Sequence, residues 1–307
     1  MLRCSLGMIL MLALSGCGPL KLTDAGSLGY RQRMADQRAR AQAVPESERT
    51  PAPTTVEGWV DSGSVAAANG KGARALWHYL EAHRLDPQHP EPLIRLGYFH
   101  LSQDAEKSVT FFARAIELAP DSARAHTGVG LARLSQGRYD EAAGALERAV
   151  EIAPGFATAQ DALGVVYAAQ DDPRAGRSRS QLARNLDPRD ARILNNYGVS
   201  LLTSQEWSEA EKIFRSAILL DSSQPSYYNN LGVALGRQRR YPEAETAFER
   251  FGTQQAVQNN LGYLHYLNGE NEDAIACYEL ALGESGDDRV TILRNLKAVT
   301  ELAATGR

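Results

Sequence analysis

Cysteine is scarce in this chain: three among 307 residues, at Cys4, Cys17 and Cys277. Their spacing fits neither a zinc site nor a disulfide framework, and Cys277 is expected to be a small buried thiol. Aromatics are few, at 7%, and no long stretch alternates β-branched with polar residues, so nothing predicts a sheet. Positive charge is not in excess. A net charge of −4 and a pI near 5.9 argue against a nucleic-acid partner, which demands a basic face. Catalytic patterns are missing as well. The histidines, His78, His83, His89, His100, His126 and His265, make no His-Glu-x-x-His pair and are expected at the surface or in a groove. Asn69-Gly70-Lys71-Gly72 fails the phosphate-loop pattern and reads as a turn, and no Gly-x-Ser-x-Gly elbow occurs. The acidic residues read as solvated charge on outer faces. No catalytic residue, metal ligand or cofactor site is expected.

What is present is a 43% hydrophobic composition rich in Ala, Leu, Arg and Glu, which points to packed helices. The chain opens with Arg3 and a nine-residue apolar run, Leu6 to Leu14. A membrane-spanning helix needs about 20 residues, so this run suits the apolar core of a signal peptide instead. Leu14-Ser15-Gly16-Cys17 follows directly. It resembles the bacterial lipobox, which implies a signal peptide over 1–16 and a diacylglycerol on the Cys17 sulfur. The thiolate is the strongest side-chain nucleophile, and two or three acyl chains, at about 0.8 kcal/mol per buried CH₂, anchor a protein stably. By the same resemblance, Gly18 rather than Asp after the cysteine implies the outer membrane, facing the periplasm. Residues 17–55 lack apolar periodicity and include Arg31, Arg33, Arg38 and Arg40 and the stretch RTPAPTT, so they read as the lipidated Cys and a solvated tether, with a short helix possible within 30–43.

Beyond the tether the chain repeats. Gly63, Gly97, Gly130, Gly164, Gly198, Gly232 and Gly262 are separated by 34, 33, 34, 34, 34 and 30 residues. Ala75, Ser108, Ala142, Gly176, Ala210, Ala244 and Ala274 each follow their glycine by 12 residues, except Ser108 at 11. A bulky set runs in step (Tyr79, Phe112, Leu146, then Ser180 as a departure, Phe214, Phe248, Tyr278), as does a small set: Ala82, Ala115, Ala149, Ala183, Ala217, Phe251 and Ala281. Pro87, Pro120, Pro154 and Pro188 close four of the units. A glycine inside a helix costs roughly 0.5–1 kcal/mol relative to alanine, so seven in register require a reason. The reason expected here is close approach of two helices, with the bulky residue packed between them and the proline ending the second helix.

This pattern resembles the tetratricopeptide repeat, a 34-residue helix–turn–helix unit. The resemblance implies an all-α, right-handed superhelical solenoid of about seven helix pairs over 56–287, with a capping helix and tail over 288–307. The pairs are expected near 56–68/71–85, 90–103/105–118, 123–136/139–152, 157–170/173–186, 191–204/207–220, 225–238/241–251 and 254–268/271–283. The cap should present a polar outer face. Gly176 and Ser180 predict looser packing of the fourth second helix. The sixth unit has lost four residues; Gly252 is expected to end its second helix as a left-handed cap and Thr253 to open the next helix.

Three first helices carry paired asparagines before their glycine: Asn195/Asn196, Asn229/Asn230 and Asn259/Asn260. In the resembled family the first helices line the concave side, so these carboxamides, with Arg192, Arg237, Tyr263 and Tyr266, are the candidate partner-binding residues. Asn both donates and accepts hydrogen bonds and suits the backbone of an extended peptide; Tyr and Arg are frequent interface anchors. The layout of lipobox, tether and repeats resembles the TadD lipoproteins of tight-adherence (Flp) pilus systems and the type IV pilotins, which implies a secretin or pilus-assembly subunit as partner. It is also similar to the NlpI-like adaptors of peptidoglycan hydrolases and proteases. Cys17→Ser is expected to abolish incorporation of labelled palmitate and to move the chain from the membrane to the soluble fraction. Unchanged partition on fractionation would refute the anchor.

Overall fold

The computed structural model describes residues 53–284 and 288–304; the lipobox, Cys17 and nearly all of the tether lie outside them. Fifteen helices and no strand occur among the described residues. In order they are α1 (Val56–Ala68), α2 (Gly72–Leu85), α3 (Pro90–His100), α4 (Ala105–Leu118), α5 (Ala123–Ser135), α6 (Tyr139–Ile152), α7 (Ala157–Ala169), α8 (Pro173–Leu186), α9 (Ala191–Thr203), α10 (Trp207–Leu220), α11 (Pro225–Arg237), α12 (Tyr241–Glu249), α13 (Gln254–Leu267), α14 (Asn271–Gly283) and α15 (Arg289–Ala304). None is long and apolar enough to cross a membrane. The chain divides into two compact units at Asp171/Asp172, in the turn between α7 and α8.

The repeating glycines sit where the sequence pattern requires close approach. A Cβ on Gly63 would lie 2.4 Å from the Tyr79 ring, on Gly198 2.5 Å from Phe214 and on Gly232 2.4 Å from Phe248. Gly130 faces Leu146 in the same way. The small set is fully buried at Ala75, Ala82, Ala142, Ala149, Ala210 and Ala217. Ser108, in an alanine position, satisfies its buried hydroxyl by donating to the Gly97 carbonyl at 2.9 Å. Second helices α2, α4, α6 and α8 end two residues before Pro87, Pro120, Pro154 and Pro188, because the residue before a proline is pushed out of the helical region. Thr55, Asp104, Ser122, Asp172, Asp190 and Thr253 cap first turns with their side-chain oxygens.

The hairpin turns share one backbone device. Gly70, Gly137, Asp171, Gln205, Arg239 and Gly269 all have φ between 61° and 78°, and each lies seven residues after its repeat glycine. Gly97 alone lacks such a residue, and its loop is one residue shorter, which also ends α3 at His100 rather than near 103. A side chain in this region costs roughly 1–2 kcal/mol, so Asp171, Gln205 and Arg239 carry strain that glycine would not.

Several expectations need correction. Gly252 is not among the left-handed residues; a Cβ there would meet the Phe248 carbonyl oxygen at 2.8 Å, and that close approach is what calls for glycine. Phe251 is exposed, not a member of the buried small set, because α12 stops at Glu249. α8 buries Gly176, Ser180 and Ala183 but supplies no large apolar side chain to a core cluster. On α15, Ile292 and Val299 are buried, yet Val290 and Leu293 are exposed, so the outer face of the cap is not uniformly polar. Lys297 stands two residues after Asn295, where the preceding repeats have glycine, and no ring could pack against it as Tyr278 packs on Gly262. Three histidines are buried rather than at the surface. His78 is 1% exposed between Trp59 and Trp77, His83 is buried on the same helix, and His100 lies parallel to the Phe111 ring. Burial, with the charge of Arg74, holds the His78 pKa below its ordinary value. Cys277 is half-buried against the core rather than fully enclosed.

Gln205→Gly is expected to raise stability by about 0.5–1 kcal/mol, and Gly232→Ala to lower it by about 1–3 kcal/mol through the forced shift of Phe248. Both are read by urea unfolding.

Candidate partner-binding face

Within each unit, first helices pack directly on the next first helix: α1 on α3, α3 on α5 and α5 on α7 in one, α9 on α11, α11 on α13 and α13 on α15 in the other. No second helix packs comparably on the next second helix. A row whose members touch lies inside the curve of a row whose members do not. The first helices therefore form the inner face of each unit.

The paired asparagines of α9, α11 and α13 lie on these first helices, but they are not equivalent. Asn195 is buried and accepts a 2.8 Å hydrogen bond from the Asn230 amide of the next first helix. Asn259 accepts in the same way from Asn295 of α15, at 3.2 Å. Each step joins the first asparagine of one pair to the second-asparagine position of the next. The intervening step would join Asn229 to Asn260, and neither carboxamide has a hydrogen bond among the described residues; Asn229 is exposed and Asn260 half-buried. This step falls at the shortened sixth repeat, where 30 residues instead of 34 separate Gly232 from Gly262 and α12 has nine residues. Asn196 is half-buried beside Asn195, whose amide points to its oxygen at 3.5 Å.

Tyr263 and Tyr266 follow Asn260 at helical spacing, half-buried, with ring centroids 6.3 Å apart. Burial pushes the Tyr263 hydroxyl pKa up. Tyr266 also packs on the core beneath, around Tyr278. Arg192 pairs with Asp190 at 3.3 Å. Arg237 is committed to the fold: its guanidinium lies 4.9 Å over the Trp207 ring and donates to the Leu267 carbonyl at 2.6 Å and to Asn268 Oδ1 at 2.8 Å. Burial pulls its pKa below the ordinary value. It locks the end of α11 to the end of α13. In the unit before Asp172 the same face carries Glu91 held by Arg95 at 2.8 Å and by Arg124 at 2.9 Å.

Polar groups between repeats went unrecognised in the sequence. Glu211 is 5% exposed, contrary to the reading of acidic residues as solvated charge; Asp161 is buried too. Arg240 donates to Glu211 at 2.6 Å and Gln238 at 2.9 Å, with Arg215 bonded to its other oxygen. Burial alone would raise the Glu211 pKa; the hydrogen bonds from Arg240 and Gln238 and the arginine charges outweigh it and hold the carboxyl below its ordinary value. Arg177 and Glu206 repeat this contact with the charges exchanged. In both pairs the residues are 29 apart, a spacing the sequence could have revealed. A second cluster joins the turn after α11, α12, α13 and the turn before α14. Glu270 accepts from Tyr241, bonds His265 Nδ1 at 2.7 Å and pairs with Arg239 at 2.8 Å, while His265 stacks on the Tyr241 ring at 3.9 Å. His265, Glu270 and Asp273 could reach one metal ion among the described residues. Both Glu270 oxygens are already engaged, and Arg239 supplies the cation, so the cluster acts as a pin between repeats.

The tetratricopeptide repeat family matches residues 102–155, 162–226, 200–254 and 229–289, more than half of the chain. The chain belongs to this family, whose members are generally non-catalytic scaffolds that bind other proteins. No curated protein sequence matches it. Among solved structures, a chain of the APC/C Cut9–Hcn1 hetero-tetramer is 16% identical with a TM-score of 0.65, covering 88% of this chain and 52% of that one; this chain thus spans about half the length of that relative. PilF of Pseudomonas aeruginosa is 20% identical with a TM-score of 0.54, covering 69% and 98%. A thermophilic TPR protein of Thermus thermophilus is 18% identical with a TM-score of 0.53, covering 59% and 99%. These likenesses establish the helical repeat solenoid.

Glu211→Gln is expected to cost about 1–3 kcal/mol at neutral pH, by loss of a buried charge partner for Arg240. Because its pKa is lowered by folding, the wild-type contribution is present above the ordinary value of 4.5 and fades as pH falls below it through the folded value. Chemical denaturation between neutral and acid pH should show this loss in wild type and a flatter profile in the variant.

Proposed function

We propose that this TPR protein is a lipid-anchored scaffold of the cell envelope, held by Cys17 at the outer membrane and facing the periplasm. Its work is binding, not catalysis. It grips an extended segment of a partner protein along the inner face of residues 172–307 and assists assembly of a pilus or secretion apparatus, as the TadD-like lipoproteins it resembles are expected to do. The observation that carries the binding site is the interrupted asparagine ladder. Asn195–Asn230 and Asn259–Asn295 are satisfied by the fold. Asn229 and Asn260 each retain a donor and an acceptor, and a peptide backbone offers the complementary pair. Tyr263 adds an aromatic wall one turn further on. The lipobox motif and the tether support the envelope location, since such an anchor leaves the array free to reach a partner at the membrane.

A photo-crosslinking residue in place of Asn229, in living cells, tests this reading. Capture of a secretin or pilus-assembly subunit, lost on Asn260→Ala, is the expected result. Capture of a peptidoglycan hydrolase or protease would replace the pathway by the adaptor reading. Capture unaffected by Asn260→Ala would remove the ladder gap as the site.

A further inference from the structure

The outer ends of the second helices differ sharply between the two units. In residues up to Asp171, the positions flanking the buried Ala82, Ala115 and Ala149 carry an arginine–glutamate pair. These are Glu81/Arg84 at 2.7 Å, Arg114/Glu117 at 2.5 Å and Arg148/Glu151 at 3.2 Å. Three successive second helices thus cover the same outward turn with a self-neutralising ion pair. From Asp172 onward the same two positions hold Leu182 and Asn185 on α8, Ser216 and Leu219 on α10, and Leu280 and Gly283 on α14. Leu219 is 86% exposed and Leu280 61%; Leu182, at 38%, and Leu186, at 41%, are exposed one turn apart on α8, Leu186 at the position where α2 exposes Leu85. Solvated leucines at a position elsewhere reserved for ion pairs mark an interaction surface.

Charge indicates the occupant. Within Pro173–Leu186, α8 carries Arg174, Arg177, Arg179 and Arg184 and no acidic residue; Asp172 precedes it, and Arg189 follows between Asp187 and Asp190. Arg177 is neutralised by Glu206, and Arg184 lies 5.5 Å over the Tyr197 ring. Arg174 and Arg189 are exposed. Leucines four residues apart form the ridge that seats between side-chain rows of a second helix.

We propose that the outer face of α8, centred on Leu182 and Leu186, docks an acidic amphipathic helix of a partner protein. The leucines meet its apolar stripe, and its flanking carboxylates meet Arg174 and Arg189. This surface lies on a second helix and is separate from the asparagine face, so the two readings stand or fall independently.

The test is selection of phage-displayed helical peptides on the purified full-length chain, with L182S/L186S as the counter-target. Enriched peptides are expected to carry leucines at helical spacing and an excess of Asp and Glu. Their affinity should fall at least tenfold for L182S/L186S and for the charge-reversed R174E/R189E, and further with added salt. The substituted residues are exposed, so circular-dichroism melts of both variants should match wild type; should one variant melt early, the other decides. Enrichment of basic or uncharged peptides, or equal binding to both variants, overturns the proposal. So does binding confined to phosphatidylglycerol vesicles, which assigns the face to a lipid surface. Self-association in sedimentation that disappears in L182S/L186S, without acidic peptides, assigns it to a second copy and overturns it as well.

Discussion

The contact on which the array depends is a ring laid on a bare backbone. A Cβ at the repeat glycines of the 53–171 and 172–307 units would fall 2.4–2.8 Å from the side chain it faces at Gly63, Gly97, Gly130, Gly198, Gly232 and Gly262. That distance fixes how closely the two helices of a pair approach. The buried alanines, the capped entries and the proline exits then follow, because each keeps the helices in the positions this contact allows. Phe112 shows how tight the fit is: it lies against Gly97 and against Gly128 of the next first helix at once.

A second layer joins one pair to the next, and here polar contacts add to the apolar ones. Glu211 with Arg240, Arg177 with Glu206, Arg237 on Trp207 and Glu270 with Tyr241 all bridge neighbouring repeats. Apolar packing within a pair is non-directional and is set by steric fit. A charged group taken out of water is stable only where its partner stands, so these pairs set the offset between repeats. Where the repeat is shortened, the regular asparagine step is lost at Asn229 and Asn260, and the fold leaves hydrogen-bonding capacity unused on its inner face.

Much of this was readable in the letters. The helix bounds agree with the structure to within a few residues, because glycine, alanine and proline act locally and recur at a fixed period. The expectation of an aromatic or leucine side chain packed between the helices of a pair also rests on local geometry. The surfaces were less legible. His78 looked like a surface histidine because nothing near it in the sequence announces Trp59 on another helix. Glu211 looked like solvated charge because only Arg215 is near it in the sequence, whereas Gln238 and Arg240 lie 27 and 29 residues away. Gly252 was expected in a left-handed cap, whereas its need is room beside the Phe248 carbonyl.

The sequence by itself determined the repeat, the length and ends of its helices and the small and bulky positions of its core, since period and steric size act over a few residues. Only the tertiary structure decided which asparagines are spent on the fold, which carboxylates are buried and which leucines remain in water. Those properties depend on the offset between successive pairs, and that offset arises from contacts between residues roughly thirty positions apart.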